Sequence, residues 1–118
     1  MPGVEGYIEE QDPRFQSCLF KLHDYLSGEL GLTSRIRYKI PFYDQYSWIC
    51  YINIRFDKIE LAFLRGDKMS RTWKSLDFRG RQQVVSVLFD PEEEIPWQEL
   101  SATIQEALLL DEEIMRHN

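Results

Sequence analysis

The sequence predicts an α+β fold: a two-layer domain with an antiparallel meander sheet of about four or more strands, packed by N-terminal and C-terminal helices. Three observations carry this. Apolar residues recur every three to four positions near both ends of the chain and every second position through its middle. The alternating runs are joined by short turns, as in a meander. The 118 residues suit one domain, spanning 1–118, large enough to bury its own core.

The elements follow in order. Val4, Tyr7 and Ile8 are spaced for a short first helix in VEGYIEE. Asp12 followed by Pro13 reads as an N-cap with proline at the first helical position. From there Phe15, Cys18, Leu19, Leu22 and Leu26 form one apolar stripe, and Gly28 and Gly31 supply the stop. Lys21, His23 and Asp24 fall largely off that stripe. The period then becomes two. RIRYKI (35–40), WICYINIRF (48–56), IELAFL (59–64) and QVVSVLF (83–89) read as four half-buried strands. The stretch 65–81 is long, irregular and basic, and carries Trp73 and Phe78. Pro96 opens a last helix with Trp97, Leu100, Ile104, Ala107 and Leu108 on its buried stripe. Leu109, Leu110 and Ile114 widen that stripe, an excess compatible with a homodimer contact.

Charge is unevenly placed. The net value is −6, yet residues 35–81 hold eleven basic and five acidic side chains, while both ends are acidic. The sheet face turned away from the helices should display Arg35, Arg37, Lys39, Tyr51, Asn53, Arg55 and Glu60. With Tyr51 its one expected aromatic and the chain acidic as a whole, nucleic acid is a disfavoured partner. No apolar run nears the roughly 20 residues of a membrane helix, and the acidic start lacks a leader pattern, so no membrane partner and a cytoplasmic location are expected. Cys18 and Cys50 are too few for a disulfide framework and read as buried, reduced thiols. Phosphate-loop, dinucleotide, zinc-protease, serine-hydrolase and paired-cysteine motifs are all absent from the sequence. A lone helical histidine, His23, is more often surface decoration than catalyst. A non-enzymatic domain is therefore expected.

IRYKIPFY, residues 36–43, reads as a corner. Pro41 has no N–H to give a ladder, so Ile40-Pro41 should end the first strand and Phe42-Tyr43 begin the passage to Trp48. Such a corner, clustering Tyr38, Phe42, Tyr43, Tyr46 and Trp48 beside Lys39, also has the makeup of a small-ligand site. The expected ligand-binding residues are Arg37, Lys39, Tyr43, Tyr51, Arg55 and Trp73, the cations meeting an anionic small molecule or an acidic protein and the aromatics adding apolar contact.

VEGYIEEQ, IRYKIPFY with its Tyr38-Lys39-Ile40-Pro41 core, ICYINIRFDKIELAFLRG and the late strand before an acidic helix together resemble the YdhG-like family of small bacterial domains of unknown function. The resemblance spans nearly the whole chain. Arg35 and Arg37 stand where relatives often carry an acidic residue. The family resembles frataxin in outline, which implies iron as an alternative cofactor or cargo, with Glu9, Glu10 and Asp12 as the nearest match to an acidic metal-binding ridge.

Overall fold

A computed structural model describes residues 3–117; Met1, Pro2 and Asn118 lie outside the described residues. Helix α1 (Val4–Glu9) leads into α2 (Pro13–His23). The Asp12 carboxylate accepts the Arg14 N–H at 3.0 Å, so the expected N-cap forms ahead of Pro13. The last turn widens into a π-helix over Asp24–Glu29, and Gly31, at φ 70°, turns the chain into the sheet. Phe15, Cys18, Leu19, Leu22 and Leu26 are all buried, as their spacing requires. Burying each leucine contributes about 1.5–3 kcal/mol. His23 is the exception to the expected polar face. It is buried, and its Nδ1 lies 2.9 Å from the Tyr43 hydroxyl, so it is not surface decoration.

Five strands form one open sheet in the order of the chain: β1 (Thr33–Arg37), β2 (Ile40–Asp44), β3 (Trp48–Arg55), β4 (Lys58–Phe63) and β5 (Val85–Phe89). Every neighbouring pair is antiparallel. Helix α3 (Trp97–Arg116) closes the helical layer. Leu19, Leu22, Ile52, Leu61, Phe63, Leu100 and Ile104 are among the residues that fill the space between the layers. Trp97, expected on the buried stripe of α3, is 40% exposed, and Leu109 is exposed as well.

The extra strand corrects the reading of IRYKIPFY. The segment is a hairpin, not a corner. Tyr38 and Lys39, at φ 52° and 69°, form a two-residue turn that folds β2 back onto β1. Left-handed backbone at both central residues is what the twist of a hairpin favours. Asn or Gly usually occupies such positions, so Tyr-Lys concealed the turn. Phe56 and Asp57, at 54° and 61°, build the β3–β4 turn in the same way. Residues flanking a two-residue turn form a hydrogen-bonded pair, here Arg37 with Ile40. Pro41 therefore occupies the next, non-hydrogen-bonded position opposite Ile36, where its nitrogen is turned toward β3. The β2–β3 ladder begins one residue later, at Phe42 with Tyr51. Pro41 limits that ladder without ending a strand.

The segment after β4 passes through a short 3₁₀ turn (Gly66–Lys68) and then wraps the free edge of β5, where Asp77 and Ser86 form a β-bridge. A Cβ at Gly66 would collide with Val85 Cγ2 and lie 2.7 Å from the Val85 backbone nitrogen.

Two stability outcomes follow from these backbone positions. Lys39→Gly should stabilise the fold by about 1 kcal/mol, because glycine carries no left-handed penalty. Gly66→Ala should destabilise it by about 1–3 kcal/mol through forced displacement of β5. Urea melts of both variants check the two signs.

Candidate anion-binding cleft on the open sheet face

The two-residue turn and a bulge together build the site. Between β2 and β3 the register slips, so that Tyr43 faces Cys50 while Asp44 faces Trp48. Ile49 is the extra residue. Ile49 and Cys50 both enter the core, and Trp48 is carried onto the open face beside Phe42. Alternation alone places Trp48 with Cys50 and Ile49 on the open face, so the bulge inverts that expectation for both.

An aromatic row results. Phe42 stacks on Tyr51 at 5.0 Å between centroids and meets the Trp48 edge at 5.1 Å. Tyr38 leans on Phe42 at 5.9 Å and is 78% exposed. Tyr51 is thus one of four aromatics on this face. The Arg37 guanidinium lies 4.7 Å from the Trp48 ring and 3.3 Å from Asp44 Oδ2. Among the described residues, Arg37 Nε and Asp44 Oδ1 are the buried side-chain polar atoms with no hydrogen-bond partner. Arg37, Asp44, Tyr46, Trp48, Arg65 and Gln83 line an open cleft of about 490 Å³.

Asp111 of α3 holds the other side of this cleft in place. It is fully buried, and four groups donate to it. Tyr46 N–H and Gln45 Nε2 reach Oδ2 at 2.9 and 3.1 Å, while Arg65 Nη1 reaches Oδ1 at 3.2 Å and the Ser47 hydroxyl also donates to Oδ1. Burial works to raise the Asp111 pKa, but the hydrogen bonds from Ser47, Gln45, Tyr46 and Arg65 outweigh it and hold the carboxyl below its usual range.

A second buried carboxylate, Glu60, lies on the open face beneath the wrapping segment. Arg81 Nη2 donates to it at 2.9 Å and Arg55 Nη1 at 3.3 Å. Arg81 Nη1 also donates to the Tyr51 hydroxyl at 3.2 Å, and Arg79 Nε to Ser86 Oγ at 2.8 Å. Residues 77–81 thus strap the β4–β5 half of the open face.

The structure sorts the sequence-derived residues. Arg37 walls the cleft, and Lys39 stands exposed on the adjacent turn. Tyr51 and Arg55 lie on the open face but are engaged in the Glu60 network. Tyr43 is excluded as a surface contact: it is fully buried on the helical side against His23, and burial raises its pKa. Trp73 packs on Phe89 at 6.3 Å and lines separate clefts near α3, so it does not join Arg37. Glu9 and Glu10 are exposed, and Asp12 is used as a helix cap. Among the described residues, no three His, Cys, Asp or Glu side chains converge as a metal site. Cys18 and Cys50 are buried and free, and burial pushes the Cys18 thiol up to about 11. No helix of the described residues is long and apolar enough to cross a membrane.

Sequence reading grouped Tyr46 and Trp48 with the aromatic corner, and both line the cleft, but it missed Arg65, Asp44 and Asp111 as site residues. Asp111 carried a signal, since it falls three and four places after Leu108 and Ala107 on the buried stripe of α3.

The architecture is that of a small α+β domain with an open five-stranded meander covered on one face by helices. The same fold is found in the crystal structure of YdhG, a DUF1801 family protein from Bacillus subtilis, with a TM-score of 0.68 and 12% sequence identity over 87% of this chain and 86% of that one. This is the fold that the resemblance to the YdhG-like family implies. No family model and no curated protein sequence matches the chain.

Asp111→Asn should destabilise the protein by about 3 kcal/mol, since it leaves Arg65 facing a neutral amide in a buried network. The folded-state pKa of Asp111 is depressed, so its contribution is fully present above the unfolded value of about 3.9 and lost as pH falls through the lower folded value. Stability of the parent should therefore drop more steeply below about pH 4 than that of Asp111→Asn, as thermal melts from pH 7 to pH 2.5 would read.

Proposed function

We propose that this chain is a non-enzymatic cytoplasmic binding domain. Its working surface is the corner of the open sheet face around Arg37, and it takes an anionic group carried by a small molecule or an acidic protein. The observation that carries this reading is the state of Arg37. Its guanidinium rests on Trp48, its one ion pair is a 3.3 Å contact, and its Nε has no partner. An unsatisfied buried donor costs about 1–3 kcal/mol. A small rotation of the Arg37–Asp44 pair toward the cleft would recover that cost when an oxyanion arrives. Arg65 lines the same cleft, and exposed Lys39 adds positive potential at the adjacent turn. Tyr46 and Trp48 supply apolar walls.

Binding of an anion panel (inorganic phosphate, pyrophosphate, a dicarboxylate and an acidic peptide) can be followed through the Trp48 indole N–H by NMR. Arg37→Glu should weaken the best of these about tenfold or more, the value of a charge-assisted hydrogen bond. Raising ionic strength should weaken it further. Unchanged affinity in Arg37→Glu would remove the proposal.

A further inference from the structure

We propose that the free edge of β1 is a docking strand for an extended acidic segment of another protein. The proposal stands on the backbone of that edge and does not require the cleft reading.

In the β1–β2 hairpin, hydrogen-bonded pairs alternate outward from the turn: Arg37 with Ile40, Arg35 with Phe42, Thr33 with Asp44. Ser34 and Ile36 occupy the intervening positions, so their N–H and C=O groups point away from β2. Among the described residues, no hydrogen bond reaches the backbone of Ser34 or Ile36 from that side. The two ends of the sheet differ in this respect. The outer edge of β5 is wrapped, with Asp77 and Ser86 exchanging backbone hydrogen bonds at 3.0 and 2.9 Å. The edge of β1 is bare, and Ile36 is 37% exposed beside it. A bare edge is a template for strand addition.

Charge selects the occupant. Arg35 and Arg37 project from the open-face side of β1, with Lys39 at the end of the hairpin. Arg35 and Lys39 are exposed and form no ion pair among the described residues, whereas Arg37 has only Asp44. No carboxylate lies on β1 itself. A second copy fits poorly, since its β1 brings no carboxylate to these cations in any register. Antiparallel pairing about Arg35 sets two Arg35 side chains opposite each other, and pairing about Ile36 sets Arg35 opposite Arg37. Like charges directly across a ladder are destabilising. A strand with acidic residues at every second position meets Arg35 and Arg37 on one face. Its intervening apolar residues lie beside Ile36 on the other.

The test uses ¹⁵N-labelled protein and two blocked peptides, one alternating Glu with Val and Thr, the other with Lys in place of Glu. The Glu peptide should slow amide exchange at Ser34 and Ile36, and the Lys peptide should not. Ile36→Pro removes one outward N–H at a position where β2 already tolerates Pro41, and should weaken the Glu peptide roughly three- to tenfold. Arg35→Glu, a surface change that leaves the backbone alone, should weaken it about fivefold and favour the Lys peptide. The proposal is overturned if Ser34 and Ile36 exchange is unchanged at millimolar Glu peptide, or if both peptides bind alike. It is also overturned if Ile36→Pro and Arg35→Glu leave affinity intact, or if the protein dimerises through this edge.

Discussion

The buried carboxylate of Asp111 is the interaction on which the geometry of the open-face cleft depends. Helix α3 packs on the sheet mainly through apolar side chains, and its polar ties to the rest of the chain are few among the described residues: Gln45 donates to the Leu108 carbonyl, Ser70 donates to Glu106, and Asp111 gathers four donors. Asp111 is the buried one of the two carboxylates. By accepting from Tyr46 N–H, Gln45, Ser47 and Arg65, it ties α3 both to the β2–β3 turn and to the chain that leaves β4. The bulge that presents Trp48 begins at the same turn. Displacing the carboxylate would therefore loosen the cleft wall and the start of the wrapping segment together. A single buried ion pair contributes little net stability against well-packed apolar residues. Its value here is positional, because the carboxylate and its donors join three stretches of chain far apart in sequence, 45–47, Arg65 and Asp111.

The open face poses the opposite problem. A five-stranded sheet with helices on one side leaves the other to water, and this one carries Phe42, Trp48, Tyr51 and Leu88 there. The protein covers half of it with its own chain. Residues 77–81 cross from the β5 edge, and Arg81 bridges Glu60, Tyr51 and Ser86. Glu60 is tolerated in a site of 1% exposure because two guanidinium groups reach it. The half toward β1 has no such cover. There the aromatic row is shielded by Arg37 lying on Trp48, and Tyr38 remains in solvent. The division between covered and uncovered halves places the available surface at the first hairpin.

Elements governed by local chemistry were legible in the sequence. The Asp12-Pro13 start, the Phe15–Leu26 stripe and the β3–β4 pairing all follow from spacing. What escaped was set by tertiary context. The turn at Tyr38-Lys39 lacks the glycine or asparagine that would have announced it, so one strand was read where the chain makes two. Pro41 looked like a terminator because its pairing position, which decides whether a missing N–H matters, depends on that turn. The bulge at Ile49 leaves no compositional trace, so Trp48 was assigned to the wrong side. Of the expected site, Arg37, Tyr51 and Arg55 lie on the open face as the reading put them, while Lys39 stands on the hairpin turn. Tyr43 was misplaced because the face of β2 could not be known before the hairpin was.

The same context changes what the basic middle of the chain means. Eleven cations between residues 35 and 81 suggested a broad positive face. Most are spent internally: Arg55 and Arg81 on Glu60, Arg65 on Asp111, Arg79 on Ser86 and Asp77, Arg71 on the carbonyls of Gly66 and Met69. Lys58 faces Asp90. These contacts turn much of the sequence-level charge into scaffolding. Lys68 and Lys74 stay exposed on the wrapping segment, Arg35 and Lys39 stay exposed on the first hairpin, and Arg37 is only loosely held. The last three share the hairpin whose outer edge is also the unwrapped edge of the sheet. Cations, exposed aromatic surface and unpaired backbone therefore coincide within a dozen residues. On the proposed reading, an acidic partner would be recognised by that coincidence, not by the overall charge of the domain.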